Sequence, residues 1–151
     1  MLFRSHAGLE WDITTTTAAE RAVLASWAQY YKVNRELLHS GRLVRVDHPE
    51  PAVSIHGVIA RDSSRAIFAY VQAGVTTSSR AIPLRLPGLA ADQQYLVREV
   101  RPAGPPRYWE IDAASWRLDS IKISGAALAE VGLTAPMLTS EQAMLLEVTA
   151  V

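Results

Sequence analysis

The sequence contains no cysteine. A disulfide framework, a thiolate metal site and a cysteine nucleophile are therefore excluded, and the composition fits a reducing compartment, so a cytoplasmic location is expected. The segment Met1–His6 lacks the basic-then-apolar order of an export leader, and no apolar run approaches the length of a membrane span. A soluble chain without a membrane partner follows. Charge of one sign is also missing, since 15 Lys and Arg face 15 Asp and Glu. With the arginines scattered and no net field, a nucleic-acid partner is not expected. There is no G-x-G-x-x-G or G-x-x-x-x-G-K cradle for phosphates and no G-x-S-x-G elbow for a serine nucleophile. The four histidines, His6, His39, His48 and His56, form no H-x-H or H-x-x-x-H pair, so neither a metal nor a cofactor is expected. His39, near a helix end, is explained by the helix dipole, and His56 by packing in a strand.

What remains is the composition of a folded globular chain: 151 residues, 49% hydrophobic and 20% charged. Thr17 and Glu20 have the spacing of a capping box and predict a helix start. Behind them Val23, Leu24, Trp27, Tyr30, Tyr31, Leu37 and Leu38 recur three or four apart, giving an apolar stripe that ends at Ser40-Gly41. Gly41 is expected to close the helix in the left-handed conformation. After it the period falls to two. Strands are expected at 43–46, 54–60, 65–72, 82–86, 95–100 and 143–150, with a hairpin loop at Arg61–Ser64. From Trp109 to Ile123 there is no steady period, and Ser124–Leu128 reads as a short helical turn or a strand crossing. The expected fold is mainly β: an antiparallel β-sandwich of Greek-key type behind one long N-terminal helix.

Two features could carry chemistry. Glu10 and Asp12 flank Trp11, and on an extended segment such acids face one side at a separation compatible with glycoside hydrolysis. An acidic approach to a helix N-terminus explains the same pair more simply. Trp109 and Trp116 could stack on sugars, although a place in the core is the commoner use of tryptophan. The residues by themselves assign no catalytic site.

The order of several segments carries a resemblance. Ser5-His6-Ala7-Gly8-Leu9-Glu10-Trp11-Asp12-Ile13 resembles the G-H-x-G-[IL]-E-[WL]-D-[LI] segment near the end of the catalytic barrel in the α-galactosidases of glycoside hydrolase family 36. The helix and crossing "ERAVLASWAQYYKVNRELLHSGRLVRVDHPEP" resemble that family's last barrel helix and its passage into the C-terminal domain, through Leu38-His39-Ser40-Gly41-Arg42 and Asp47-His48-Pro49. "HGVIARDSSRAIFAYVQ", "PLRLPGL", "SGAALAEVGL" and "MLLEVTAV" resemble successive parts of the β-domain. The resemblance implies that residues 1–41 end a (β/α)8 barrel and that 42–151 form the C-terminal β-sandwich. It also implies hydrolysis with retention by two barrel aspartates that have no counterpart here, so no catalytic residue is assigned and the chain alone is expected to be inactive. The implied partner is the barrel. A homodimer through the helix face Trp27, Tyr30, Tyr31 and Leu38, and a stand-alone carbohydrate-binding or oligomerisation role, are the alternatives.

Overall fold

The computed structural model describes residues 12–77, 82–109 and 114–151. A turn of 3-10 helix, Ile13–Thr15, leads into helix α1, Ala18–Ser40. The expected capping box is present: the Thr17 hydroxyl accepts from the Glu20 amide at 3.2 Å, and the Glu20 carboxylate accepts from the Thr17 amide at 2.7 Å. Each satisfies an amide that the first turn leaves without a partner. We expect Thr17→Ala to cost about 1 kcal/mol of helix stability. Faster amide hydrogen exchange confined to the first turns of α1 would show it, and unchanged exchange there would count against the cap.

Gly41 ends α1 for a different reason from the one expected. Its φ is −73° and its ψ 171°, an extended conformation open to any residue. A side chain is excluded by space, because a Cβ would come within 2.5 Å of the Val58 side chain and within 2.7–2.8 Å of the Leu37 and Ile59 carbonyl oxygens. The chain turns from helix into sheet while pressed against Val58 and Ile59.

Six strands follow: β1 Arg42–Val46, β2 Val53–Ile59, β3 Arg65–Gln72, β4 Gln94–Val100, β5 Ile121–Ser124 and β6 Gln142–Ala150. Short helices α2, Ser115–Leu118, and α3, Gly125–Glu130, lie between β4 and β6. The strands form one antiparallel sheet in the order β1-β2-β3-β6-β4-β5. The last strand therefore inserts between the β1–β3 meander and the β4–β5 pair. The β2–β3 hairpin turns at the expected loop, where Asp62 accepts from the Ser64 amide at 3.0 Å and from its hydroxyl at 2.7 Å.

One face of this sheet carries Ile55, Ile59, Phe68, Tyr70, Tyr95, Val97, Met144, Leu146 and Val148, all buried. Among the described residues it is not covered by a second hydrogen-bonded sheet, and in this the expected two-sheet sandwich is corrected. The covering layer is made of irregular chain and short helices, with Leu84, Leu86, Trp116, Leu128, Leu133 and Leu138 packed into the same core. The expected strand at 82–86 shows why. Leu84 makes a single bridge to Leu133, and Leu86 donates to the Leu128 carbonyl, but Pro83 and Pro87 have no amide with which to extend a ladder.

The opposite face meets α1. Leu37 packs with Val58 and Ile67, and Tyr30, Leu38 and Ala60 add to that cluster. Between helix and sheet sits a buried polar residue that interrupts the apolar stripe, Asn34, which accepts from the Arg65 guanidinium at 2.5 Å and donates to the Tyr30 carbonyl at 2.9 Å. Other apolar side chains of the helix are not matched in this way: Val33 is 65% exposed and Val23 42%.

A pocket beside Trp109 as candidate functional site

Among the described residues, chemistry-bearing side chains gather at a pocket between the β1–β2 connection, the end of β3 and the chain on either side of β5 and α3. Its lining includes His48, Glu50, Tyr70, Gln72, Thr76 and Trp109, and its cavity volume of about 40 Å³ is room for a few waters. The two prolines at 49 and 51 end β1 and force the turn that presents His48 and Glu50. Glu50 is buried, and its carboxylate accepts from the Thr77 amide and hydroxyl, both at 2.9 Å. The Glu50 amide donates to Nδ1 of His48 at 3.2 Å, and His48 Nε2 is buried without a hydrogen-bond partner among the described residues. The His48 ring stands edge-on to Tyr70, with centroids 6.3 Å apart. Burial, aided by the negative charge of Glu50, pushes the Tyr70 phenol above its ordinary value and keeps it neutral. Gln72 donates to the Gly74 carbonyl at 3.2 Å.

Trp109 lines this pocket while 72% exposed, an unusual position for an indole. Its backbone is tied to the chain at 137–142. The Trp109 amide donates to the Met137 carbonyl at 2.8 Å, the Thr139 amide to the Arg107 carbonyl at 3.0 Å, and the Arg107 amide to the Gln142 side chain at 3.0 Å. Next to it the Tyr108 hydroxyl donates at 2.6 Å to Glu99, whose side chain is 1% exposed at the end of β4. The same carboxylate accepts two hydrogen bonds at 2.9 Å from Arg101 and one at 3.4 Å from Arg117. The Arg117 guanidinium lies 3.7 Å over the Tyr108 ring. Burial alone would raise Glu99; the hydrogen bonds from Arg101 and Tyr108 and the charges of Arg101 and Arg117 outweigh it and hold the carboxyl below its ordinary value. Tyr108 moves the other way, its phenol raised by burial and then by Glu99, so it stays a donor.

The residues singled out from the sequence are dispersed. Glu10, Trp11 and His6 lie outside the described residues. Asp12 is exposed, and its carboxylate accepts from the Thr14 amide at 2.9 Å and the Thr14 hydroxyl at 2.6 Å, bonds that lower its pKa and cap the 3-10 turn. Trp116 is core, with its indole N–H donating to the Thr134 carbonyl at 3.2 Å. His39 lies in the last turn of α1 with Nε2 2.8 Å from the Tyr31 hydroxyl. His56 is half-buried in β2, where burial and then Arg45 hold its pKa down. Of the helix face, Tyr30 and Leu38 turn to the sheet, Trp27 stands edge-on to Tyr30 at 6.2 Å, and Tyr31 pairs with His39. Sequence reasoning missed His48 and Glu50 as neighbours of Trp109, and missed Glu99 with its two arginines. The one available sign was the D-H-P-E-P run, which marks a sharp polar turn.

Among the described residues no helix is long and apolar enough to cross a membrane, and no three His, Asp or Glu side chains come together as metal ligands.

The described residues thus form a mainly antiparallel six-stranded β-domain with one long helix. The glycosyl hydrolase family 36 C-terminal domain matches residues 53–147, more than half of the chain, and the protein belongs to that family. It is 33% identical over 146 residues to an α-galactosidase of Escherichia coli, covering 93% of this chain and 21% of that protein. A family 36 α-galactosidase of Geobacillus stearothermophilus, solved in complex with raffinose, superposes with a TM-score of 0.71 at 23% identity, over 93% of this chain and 17% of that one. The α-galactosidase of Lactobacillus brevis gives a TM-score of 0.72 at 22% identity, over 94% and 18%. The chain thus spans about a fifth of the relatives it matches, and is a domain of the kind found in a larger enzyme.

Proposed function

We propose that the chain is the non-catalytic C-terminal accessory domain of a retaining α-galactosidase, hydrolysing terminal α-galactosides only as part of the whole enzyme. Residues 1–41 are, on this reading, the end of the catalytic barrel, with α1 as its last helix. The observation that carries it is the family match over the β-domain, in a chain equivalent to 21% of the Escherichia coli enzyme. A barrel alone needs about 250 residues.

Two observations support the reading. The Asp12 carboxylate has a structural use, accepting from the Thr14 amide and hydroxyl to cap the 3-10 turn. Helix α1 leaves Val23 and Val33 in water, and each valine once buried would contribute roughly 1.5 kcal/mol or more. A neighbouring barrel would cover such side chains, whereas Tyr30 and Leu38, from the face considered for a homodimer, already pack against the sheet.

Purified chain incubated with a chromogenic α-galactoside should release no product. A rate above the blank that disappears in Asp12→Asn would sink the proposal.

A further inference from the structure

We propose that the pocket beside Trp109 binds a neutral sugar, with the indole as the platform for one face of a pyranose ring and the polar lining receiving one hydroxyl-bearing edge.

The size of the cavity sets the pose. About 40 Å³ admits two hydroxyl groups in place of waters but not a whole ring, so the ring must lie outside, where the 72% exposed Trp109 lies. The chemistry of the lining sets the class. The lining is mixed: Val53, Ile82, Met137 and Leu138 give it an apolar side, and Tyr70, Gln72 and Thr76 a polar one of phenol, amide and hydroxyl groups that can donate and accept, which suits a sugar with its C–H faces and hydroxyl edges. The Glu50 carboxylate receives two hydrogen bonds from Thr77 and is thereby fixed in place, unlike a carboxylate left bare for a cation.

Rigidity makes the exposed indole more than a surface accident. The segment Arg107–Trp109 is tied to the chain at 137–142, and Tyr108 beside it is clamped by Glu99 and Arg117. An aromatic platform on a fixed backbone loses little conformational freedom when a ligand stacks on it. Such a site would hold substrate near the enzyme without taking part in bond cleavage. Only the choice of galactoside as probe rests on the accessory-domain reading.

The test is ligand-observed NMR titration of the 151-residue chain with raffinose and with methyl α-galactoside. Weak, saturable binding in the roughly millimolar range is expected for so shallow a site. Trp109→Ala should weaken it about tenfold or more, while Trp109→Phe, which keeps a ring, should retain part of it. Because Trp109 is exposed, both variants should melt with the parent, and their melting curves are recorded alongside. Absence of saturable binding up to about 50 mM would overturn the proposal. So would binding indifferent to Trp109→Ala, or displacement of the sugar by tetramethylammonium, which would make the pocket a cation site. None of these outcomes bears on the chromogenic assay, so failure here leaves the accessory-domain reading standing.

Discussion

Glu99→Gln is expected to lower the stability of the domain by about 3 kcal/mol, among the largest single-site losses the fold allows. The substitution keeps the shape of the side chain and removes its charge. Arg117, with a side chain 3% exposed, is then a buried cation facing a neutral amide, and the Tyr108 hydroxyl loses a charged acceptor at 2.6 Å. For a domain of this size the melting temperature should fall by roughly 6–12 °C. The effect depends on pH in a defined direction. Glu99 titrates lower in the folded chain than in the unfolded one, so its contribution is complete above the unfolded carboxylate value of about 4.3 and is lost as pH falls through the folded value. Parent and variant should therefore converge in stability as pH drops below about 4. Urea midpoints measured at neutral and acid pH decide it; a constant gap between the two proteins would remove the carboxylate from the account.

Gly125→Ala should be comparably damaging for a steric reason. A Cβ at position 125 would sit 2.1 Å from the Ala90 carbonyl oxygen, with the Ala90 carbonyl carbon at 2.9 Å. That backbone has no room to retreat. The Gly125 amide donates to the Gln93 carbonyl and the Ala126 amide to the Ala91 carbonyl, both at 2.9 Å, while the Ala90 amide donates at 3.1 Å to the buried Tyr95 hydroxyl. We expect a loss of about 3 kcal/mol, at the upper end for overpacking. Gly104→Ala is the matched control: nothing lies within 4 Å of its Cβ position, so only the strain of its φ of +94° remains, about 1 kcal/mol. Equal urea midpoints for the two variants would refute the steric argument.

Elements whose cause is local were readable in the sequence. Thr17 and Glu20 start α1 because two side chains and two amides three residues apart complete one another. The β2–β3 hairpin and β6 were visible because Phe68 and Tyr70, and Met144, Leu146 and Val148, alternate over enough residues to show a period of two. β5 was not visible, since four residues carry too little period, and it exists because β4 offers it an edge. Leu84 and Leu86 alternate like a strand yet remain loop, because flanking prolines cannot donate to a ladder. Gly41 was rightly read as a helix end, but its reason is the proximity of Val58, and no local rule could reveal that.

The candidate site lies at the far end of this scale. Trp109 could be singled out as an aromatic, but its exposure, its pinned backbone and its neighbours come from segments scattered between residues 48 and 138. What the sequence by itself determined was the kind of protein: a folded chain without cysteine or net charge, one capped helix followed by short antiparallel strands, and an ordered resemblance to one family. These follow from short-range periodicity, capping and composition, which act between residues a few positions apart. Tertiary structure alone decided that the described strands make one sheet roofed by irregular chain, that Asn34 and Glu99 are buried against arginines, and that an exposed tryptophan lines a cavity of mixed polar and apolar character. Those outcomes depend on which distant groups share one low-dielectric volume, and that is settled only when the whole chain has closed around it.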